Sequence, residues 1–224
     1  MIAAARAIVR KDVQLELRTW ETLPAMAIFS VTCFVLFHFA LDRESVEGDL
    51  AAGVLYVTLL FAAVLGMNRL FVAEREEGGF EAFLMAPVDR TSLLYGKAAV
   101  LFLFLGAVEL AAIPAYAILL LGPSPFQALP GLLAILLLVN AGVAITGTLV
   151  GALAVQTRAR DLIGPLVALP LLVPVVIGAA RAIATVLSEA GAGALEPRWL
   201  GLLGLYDLVF GLIAYAVFDF LLED

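Results

Sequence analysis

The sequence predicts an all-α integral membrane protein with six transmembrane helices. Of its 224 residues, 63% are apolar and only 15% are charged, whereas a soluble domain is about half apolar and about a quarter charged. Six apolar stretches are each long enough for a helix to cross the hydrocarbon core, which takes about 20 residues. These stretches are continuous rather than alternating, so they do not have the pattern of a transmembrane β-barrel.

The six predicted spans follow one another through most of the chain, and four of them carry no charged residue. They are residues 23–41, 50–67, 98–121, 129–155, 162–180 and 201–218. The third contains Glu109 and the sixth contains Asp207. Carboxylates inside a membrane are costly and are therefore candidate functional residues. Two interpretations stay open for them: a proton relay, or carboxyl groups that are hydrogen-bonded within the bundle.

The fifth predicted span contains three prolines, Pro165, Pro170 and Pro174. Each proline removes a hydrogen bond within the helix and can kink it. Such kinks suit elements that move or line a pathway, and they also occur as static packing features. Pro170 and Pro174 are the candidate residues for a kink or a transport pathway.

The distribution of Lys and Arg predicts the orientation. One side of the predicted topology carries ten of these residues and the other side carries three. Because Lys and Arg concentrate on the cytoplasmic side, both termini are expected in the cytoplasm and residues 42–49 outside it. The expected location is the inner membrane of a bacterium, with several membrane crossings.

Residues 1–22 are too polar to span, and we predict that they form an amphipathic helix in the cytoplasmic membrane interface. A helical wheel places Ile2, Val9, Val13, Leu17 and Trp20 on one face, with cationic side chains beside them. That pattern is typical of a helix lying among lipid headgroups. The alternative is a plain positively charged anchor. Residues 23–224 then form the transmembrane domain.

Residues 68–97 form the long loop predicted on the cytoplasmic side. A pair of glycines interrupts the helix leaving the second span, because glycine is a poor residue inside helices. Aromatic and aliphatic residues then recur at helical spacing, and a proline ends the element because the residue before proline avoids helical geometry. We predict a short cytoplasmic helix with an exposed aromatic edge, which either docks on a partner or dips into the membrane interface. Its candidate residues are Glu77, Gly78, Gly79, Phe80, Glu81, Phe83, Leu84 and Pro87.

Several classes of function are excluded by what the chain lacks. It has no GxxxxGK[ST] phosphate-binding loop, so it is not expected to hydrolyse ATP by itself. With one cysteine and one histidine, Cys33 and His38, it offers neither a thiolate cluster nor a two-histidine metal site. A net charge of −7 argues against nucleic acid as a partner.

The loop resembles a region of a known transporter family. The acidic, glycine-containing run from Glu76 to Leu84, followed by Pro87 and then by Gly96-Lys97, resembles the coupling region of ABC-2 type export permeases. Three further features, namely Arg69-Leu70-Phe71, the run 77–81 and the double-proline segment 169–174, narrow the resemblance to the CcmB family of heme exporter permeases, which act in cytochrome c maturation. The resemblance covers nearly the whole chain.

The resemblance implies a permease that works within a complex. Such a permease is not itself an enzyme; it pairs with a separate CcmA-like ATP-binding subunit that holds ATP, and with a second copy of itself. A CcmC-like heme-handling membrane protein and a small membrane subunit complete the implied set of partners. Heme is the implied transported substrate, delivered to a periplasmic chaperone, and no cofactor is expected to be bound by this chain. The coupling helix would link ATP hydrolysis on the partner to the spans.

Other functions remain open at this stage. An ABC-2 permease could export a lipid, a polysaccharide or a drug, and an ion-coupled secondary transporter could use Glu109 and Asp207. A subunit that only anchors the ATPase would have the same sequence features. His38 is the candidate heme ligand because heme iron takes a His, Met, Cys or Tyr ligand. A lone histidine at the end of a span is more often a hydrogen-bonding residue, and we expect that simpler role.

Overall fold

The computed structural model describes residues 1–42, 46–72, 90–120, 128–155, 160–188 and 195–221. Within these ranges the chain forms eight α-helices and no strand, which confirms the predicted all-helical class. The helices are α1 (Ile2–Thr19), α2 (Thr22–Leu41), α3 (Gly48–Arg69), α4 (Thr91–Leu119), α5 (Leu129–Val155), α6 (Arg160–Leu171), α7 (Val173–Val186) and α8 (Pro197–Leu221).

Five of the described helices, α2, α3, α4, α5 and α8, are each long and apolar enough to cross a membrane. The pair α6 and α7 passes the same test only when taken together, and its two halves are bent by 57°. The described residues therefore contain five or six candidate spans, and the sequence predicted six. The protein is an integral membrane protein made of helices, as the composition indicated.

The helices differ in how much of their surface other helices cover. α3 and α5 lie at the centre of the bundle and are largely buried, whereas α2 and α8 are mostly exposed. The exposed side of α8 is apolar and includes Leu205, Leu208, Leu212 and Tyr215. An apolar outer surface is what contact with lipid chains requires, since lipid tails are as apolar as leucine.

The third predicted span begins earlier than expected. α4 starts at Thr91 rather than at residue 98, and Lys97 lies inside the helix with only 1% of its surface exposed. The prediction began the span after Lys97 because a charged residue normally marks the end of a membrane segment. Here a partner carboxylate on another helix compensates the charge, and hydropathy alone cannot reveal such a partner.

The N-terminal residues form a separate helix that packs against α4. α1 ends at Thr19, and the next residue, Trp20, adopts a left-handed backbone conformation with a φ of 52°. The buried carboxylate of Glu16 then accepts hydrogen bonds from the backbone N–H groups of Thr22 and Leu23 at 2.9 and 2.7 Å. These two groups belong to the first turn of α2, where backbone donors have no partner inside the helix. Glu16 thus fixes the corner between α1 and α2.

The orientation of α1 was only partly apparent from its apolar pattern. Ile2, Leu17 and Trp20 are exposed, as a membrane-facing side would be. Asp12 and Glu16 are buried against the bundle, and Val9 and Val13 of the predicted apolar face pack against its core. The side of α1 that meets the protein is therefore partly polar and partly apolar. The placement of α1 in the membrane interface remains a prediction.

Candidate functional site

The predicted coupling residues lie outside the residues that the structure describes. These are Glu77, Gly78, Gly79, Phe80, Glu81, Phe83, Leu84 and Pro87. The structure does describe the residues on either side of them: the end of α3 with Leu70 and Phe71, and the start of α4. Leu70 and Phe71 are both buried, so the chain on the α3 side is anchored in the protein core.

A buried lysine, Lys97, joins three parts of the chain close to the two ends of the predicted coupling segment. The Lys97 ammonium donates to Asp12 Oδ2 at 2.8 Å and to the backbone carbonyl of Leu70 at 2.8 Å. It also lies 5.2 Å from the centre of the Phe71 ring, within the range of a cation–π interaction. A charge this deeply buried needs both an opposite charge and hydrogen bonds, and Asp12 and Leu70 supply them. Lys97 therefore connects α1, the end of α3 and the start of α4.

Gly96, the neighbour of Lys97, makes room for α1. A Cβ atom on Gly96 would lie 2.9 Å from the Cβ of Ile8, which is closer than side chains approach in proteins. Ile8 and Asp12 are four residues apart, so they lie on the same face of α1. The Gly96-Lys97 dipeptide thus packs against that face of α1, where the glycine contacts Ile8 and the lysine pairs with Asp12. Further along the same contact, the Ser92 hydroxyl donates to the carbonyl of Met1 at 3.3 Å.

A cavity of about 230 Å³ lies beside the Lys97–Asp12 pair. Its walls come from α1, the start of α2, the end of α3 and the start of α4, and they include Glu16, Glu21 and Arg69. Arg69 and Glu21 form an exposed ion pair at 3.3 Å on the same side of the molecule. The helices are therefore not close-packed at this point, and charged side chains bridge the space between them.

The two intramembrane carboxylates lie in different surroundings. Glu109 on α4 is buried and accepts a hydrogen bond from the Asn140 amide of α5 at 3.0 Å. Asp207 on α8 lies against Gly142, where an added Cβ would come within 2.5 Å of Asp207 Oδ1. The two side chains share no hydrogen bond with each other among the described residues, so the structure does not bring them together as one site. Their roles as functional residues remain predictions.

The bend between α6 and α7 lies at Leu172, between Pro170 and Pro174. The Tyr206 hydroxyl of α8 donates to the carbonyl of Leu171 at 3.1 Å, beside the break. The same hydroxyl lies 2.8 Å from the Thr146 hydroxyl of α5. Because the Tyr206 proton is used toward Leu171, Thr146 is the donor of the second bond. A hydrogen-bond chain from α5 and α8 therefore supports the bend, and the sequence alone did not indicate Tyr206.

His38 connects two helices at the predicted outer side of the bundle. Its Nδ1 lies 2.6 Å from the carbonyl of Leu119 at the end of α4, and its ring meets Phe39 edge to face. A hydrogen bond of this kind is what we expected for a lone histidine at the end of a span, and the role of His38 in function remains a prediction. Within the described residues, no group of three or more His, Cys, Asp or Glu side chains is arranged to hold a metal ion.

Backbone contacts hold other helix ends on the same side of the bundle as His38. The Val46 N–H donates to the carbonyl of Leu120 at 2.8 Å, and the Gly48 N–H donates to that of Leu187 at 3.1 Å. An exposed ion pair between Arg181 and Asp49, at 3.2 Å, lies beside them. Exposed pairs of this kind contribute little stability, so the backbone hydrogen bonds are the stronger connection.

Comparison with known proteins identifies the family. The family model described as "CcmB protein" matches residues 3–219. The protein named "Heme exporter protein B" from Rhodobacter capsulatus is 29% identical over 77% of this chain and 78% of its own length. Proteins of the same name from Bradyrhizobium diazoefficiens and Pseudomonas aeruginosa are each 28% identical. They cover 96% and 87% of this chain, and 96% and 82% of their own lengths. The chain belongs to the CcmB protein family.

Proposed function

We propose that this chain is the transmembrane permease subunit of an ABC-type heme export system in cytochrome c biogenesis. The observation that carries the proposal is the family match over residues 3–219, together with relatives named "Heme exporter protein B" along nearly the whole chain. The helical bundle supports it, because five or six candidate spans suit a permease. The chain has no phosphate-binding loop, so a separate ATP-binding subunit supplies the hydrolysis.

The proposed mechanism transmits movement rather than performing chemistry on this chain. The ATP-binding partner docks on the segment 73–89, and its movement on ATP hydrolysis displaces the helices that flank this segment. Heme is then transferred to a periplasmic chaperone. A second copy of the chain, a heme-handling membrane protein and a small membrane subunit complete the complex. The bend at Leu172, flanked by Pro170 and Pro174, is the proposed point at which the helices change their relative orientation.

Reconstitution tests this function directly. The chain is co-purified with its ATP-binding partner and the heme-handling protein, placed in lipid vesicles, and supplied with heme, ATP and the chaperone. We expect ATP-dependent appearance of heme-loaded chaperone, measured by heme absorbance, and no ATPase activity from this chain alone. Export of a different substrate, or transport driven by an ion gradient without the ATP-binding subunit, would instead support one of the alternatives.

The orientation is part of the proposal and has its own test. Single cysteines at Ser45 and at Ala159, in a Cys33→Ala background, report on the two sides of the membrane. Because ten of the 13 Lys and Arg residues lie on the predicted cytoplasmic side, the positive-inside rule predicts that an impermeant maleimide labels Ser45→Cys in intact spheroplasts and leaves Ala159→Cys unlabelled. Labelling in the reverse pattern would show that the termini are periplasmic.

Replacement of His38 by alanine is expected to leave cytochrome c maturation largely intact. Nδ1 of this side chain is engaged with the Leu119 carbonyl, and loss of one such hydrogen bond costs about 1 kcal/mol. The expected effect is a small decrease in the thermal stability of the purified protein, with holocytochrome c formed at close to the wild-type level. Loss of holocytochrome c at normal permease levels would instead show that His38 has a functional role beyond this hydrogen bond.

A further inference from the structure

The position of Lys97 in the bundle is unusual for a charged residue. Its side chain is 1% exposed, in a helix that is otherwise apolar for most of its length. An ion pair at such depth adds little net stability compared with an apolar pair of the same size. Its presence therefore calls for a role besides holding the fold together.

The contacts of Lys97 indicate that role. One bond reaches Asp12 on α1 and the other reaches the carbonyl of Leu70. In the sequence, Leu70 stands just before the segment 73–89, and Lys97 stands on the first turns of the helix that follows it. The same ammonium group therefore links the entry to this segment, the exit from it and the N-terminal helix.

The cavity next to the pair strengthens the argument. Between α1, α3 and α4, a space of about 230 Å³ replaces the close packing found elsewhere in protein interiors. Where side chains are not interlocked, displacement of one helix is passed to the next through specific bonds. Asp12, Leu70 and Lys97 line this space, so the two Lys97 bonds lie at its wall. The contact of Gly96 with Ile8 holds α1 in register with them.

We propose that Lys97, through Asp12 and Leu70, is a positioning residue that makes α1 and the helix ends flanking the coupling segment move as one unit. Displacement of the segment by the ATP-binding partner is then passed to α1 and α4 together. Without the bond, the partner still binds and hydrolyses ATP, but less of its movement reaches the spans. This inference rests on the proposed function.

The decisive variant is Asp12→Asn combined with Lys97→Met. It removes both charges of the buried pair while nearly keeping the side-chain shapes. Lys11, which also pairs with Asp12 at 3.1 Å, is exposed to solvent and does not become a buried charge. A matched control is Asp49→Asn with Arg181→Met, which removes one acid and one base from an exposed pair that does not line this cavity. The measurements are the permease level in the membrane, the amount of co-purified ATP-binding subunit, the rate of ATP hydrolysis, and the heme-loaded chaperone formed per ATP hydrolysed.

We expect the Asp12/Lys97 variant to keep its membrane level, its bound partner and its hydrolysis. The amount of heme-loaded chaperone formed per ATP hydrolysed should fall about tenfold, which is a typical factor for the coupling between two sites. The Asp49/Arg181 control should match wild type. Asp12→Glu should also remain coupled, because it keeps the carboxylate and the neighbouring cavity has room for one more methylene group.

Unchanged heme loading per ATP in the Asp12/Lys97 variant would overturn the inference, and so would an equal loss in the control. If the double variant fails to accumulate, Asp12→Asn alone decides: at normal membrane level it must show the same loss, or the inference is wrong. The wild-type arm separates this result from the proposed function. If wild type with its partner loads no heme, the proposed function fails; if wild type and the double variant load heme equally, only the inference fails.

Discussion

Replacing Phe83 and Leu84 together by alanine is expected to release the ATP-binding partner or to uncouple its hydrolysis from heme delivery. These residues form the apolar edge of the predicted coupling helix, and truncation of an aromatic side chain at the centre of an interface costs about 2 kcal/mol or more. That cost corresponds to about a 30-fold loss of affinity. Co-purification of the partner with the permease measures the loss, and holocytochrome c reports the consequence in cells.

The controls for this prediction separate docking from folding. The permease must insert at its normal level, because the two residues lie in the predicted loop and not in a span. Glu81→Gln should mainly change the rate of association and its salt dependence, since charges at the edge of an interface steer binding more than they stabilise it. A double alanine variant that keeps the partner, the hydrolysis and normal cytochrome c maturation would show that the loop is only a membrane-interface anchor.

Substitution of Gly147 by alanine is expected to destabilise the protein by about 1–3 kcal/mol, the usual cost of overpacking a core. A Cβ atom at this position would come within 2.7 Å of Met67 Cγ and 2.9 Å of Leu101 Cδ2. Gly147 therefore allows α5 to lie close to both α3 and α4. Four residues on, a Cβ at Gly151 would meet the Phe71 ring at 3.0 Å, so the small-residue pattern of α5 packs against the base of the candidate site.

Gly106 on α4 provides a matched control with the opposite expected sign. A Cβ there meets no atom within 4 Å, and alanine is favoured over glycine inside a helix by about 1 kcal/mol. Gly106→Ala should therefore be neutral or stabilising while Gly147→Ala destabilises, as measured by SDS-induced unfolding in mixed micelles. If Gly147→Ala is as stable as wild type, or loses no more stability than Gly106→Ala, the close approach at Gly147 does not limit stability.

Part of the candidate site could be found from sequence, and part could not. The segment predicted to couple could be proposed from sequence because its glycines, acids and proline stand close together in the chain. The contacts at the two ends of this segment could not be proposed from sequence, although Gly96-Lys97 is part of the family pattern. This dipeptide contacts Ile8 and Asp12, and the helical wheel of α1 did not indicate that the face with Ile8 and Asp12 meets α4. The wheel ranked residues by hydrophobicity, whereas the contact depends on a charge pair and on a missing side chain.

The sequence by itself determined the class of the molecule, the approximate positions of its spans and the family to which it belongs. Those properties are local, since apolar length, glycine and proline act on the residues beside them. Only the tertiary structure decided that Lys97 meets Asp12 across 85 residues, that Asn140 meets Glu109 across 31 and that His38 meets Leu119 across 81. A buried polar group must find a partner wherever the fold brings one, and the folded arrangement of the helices selects that partner rather than the neighbouring sequence.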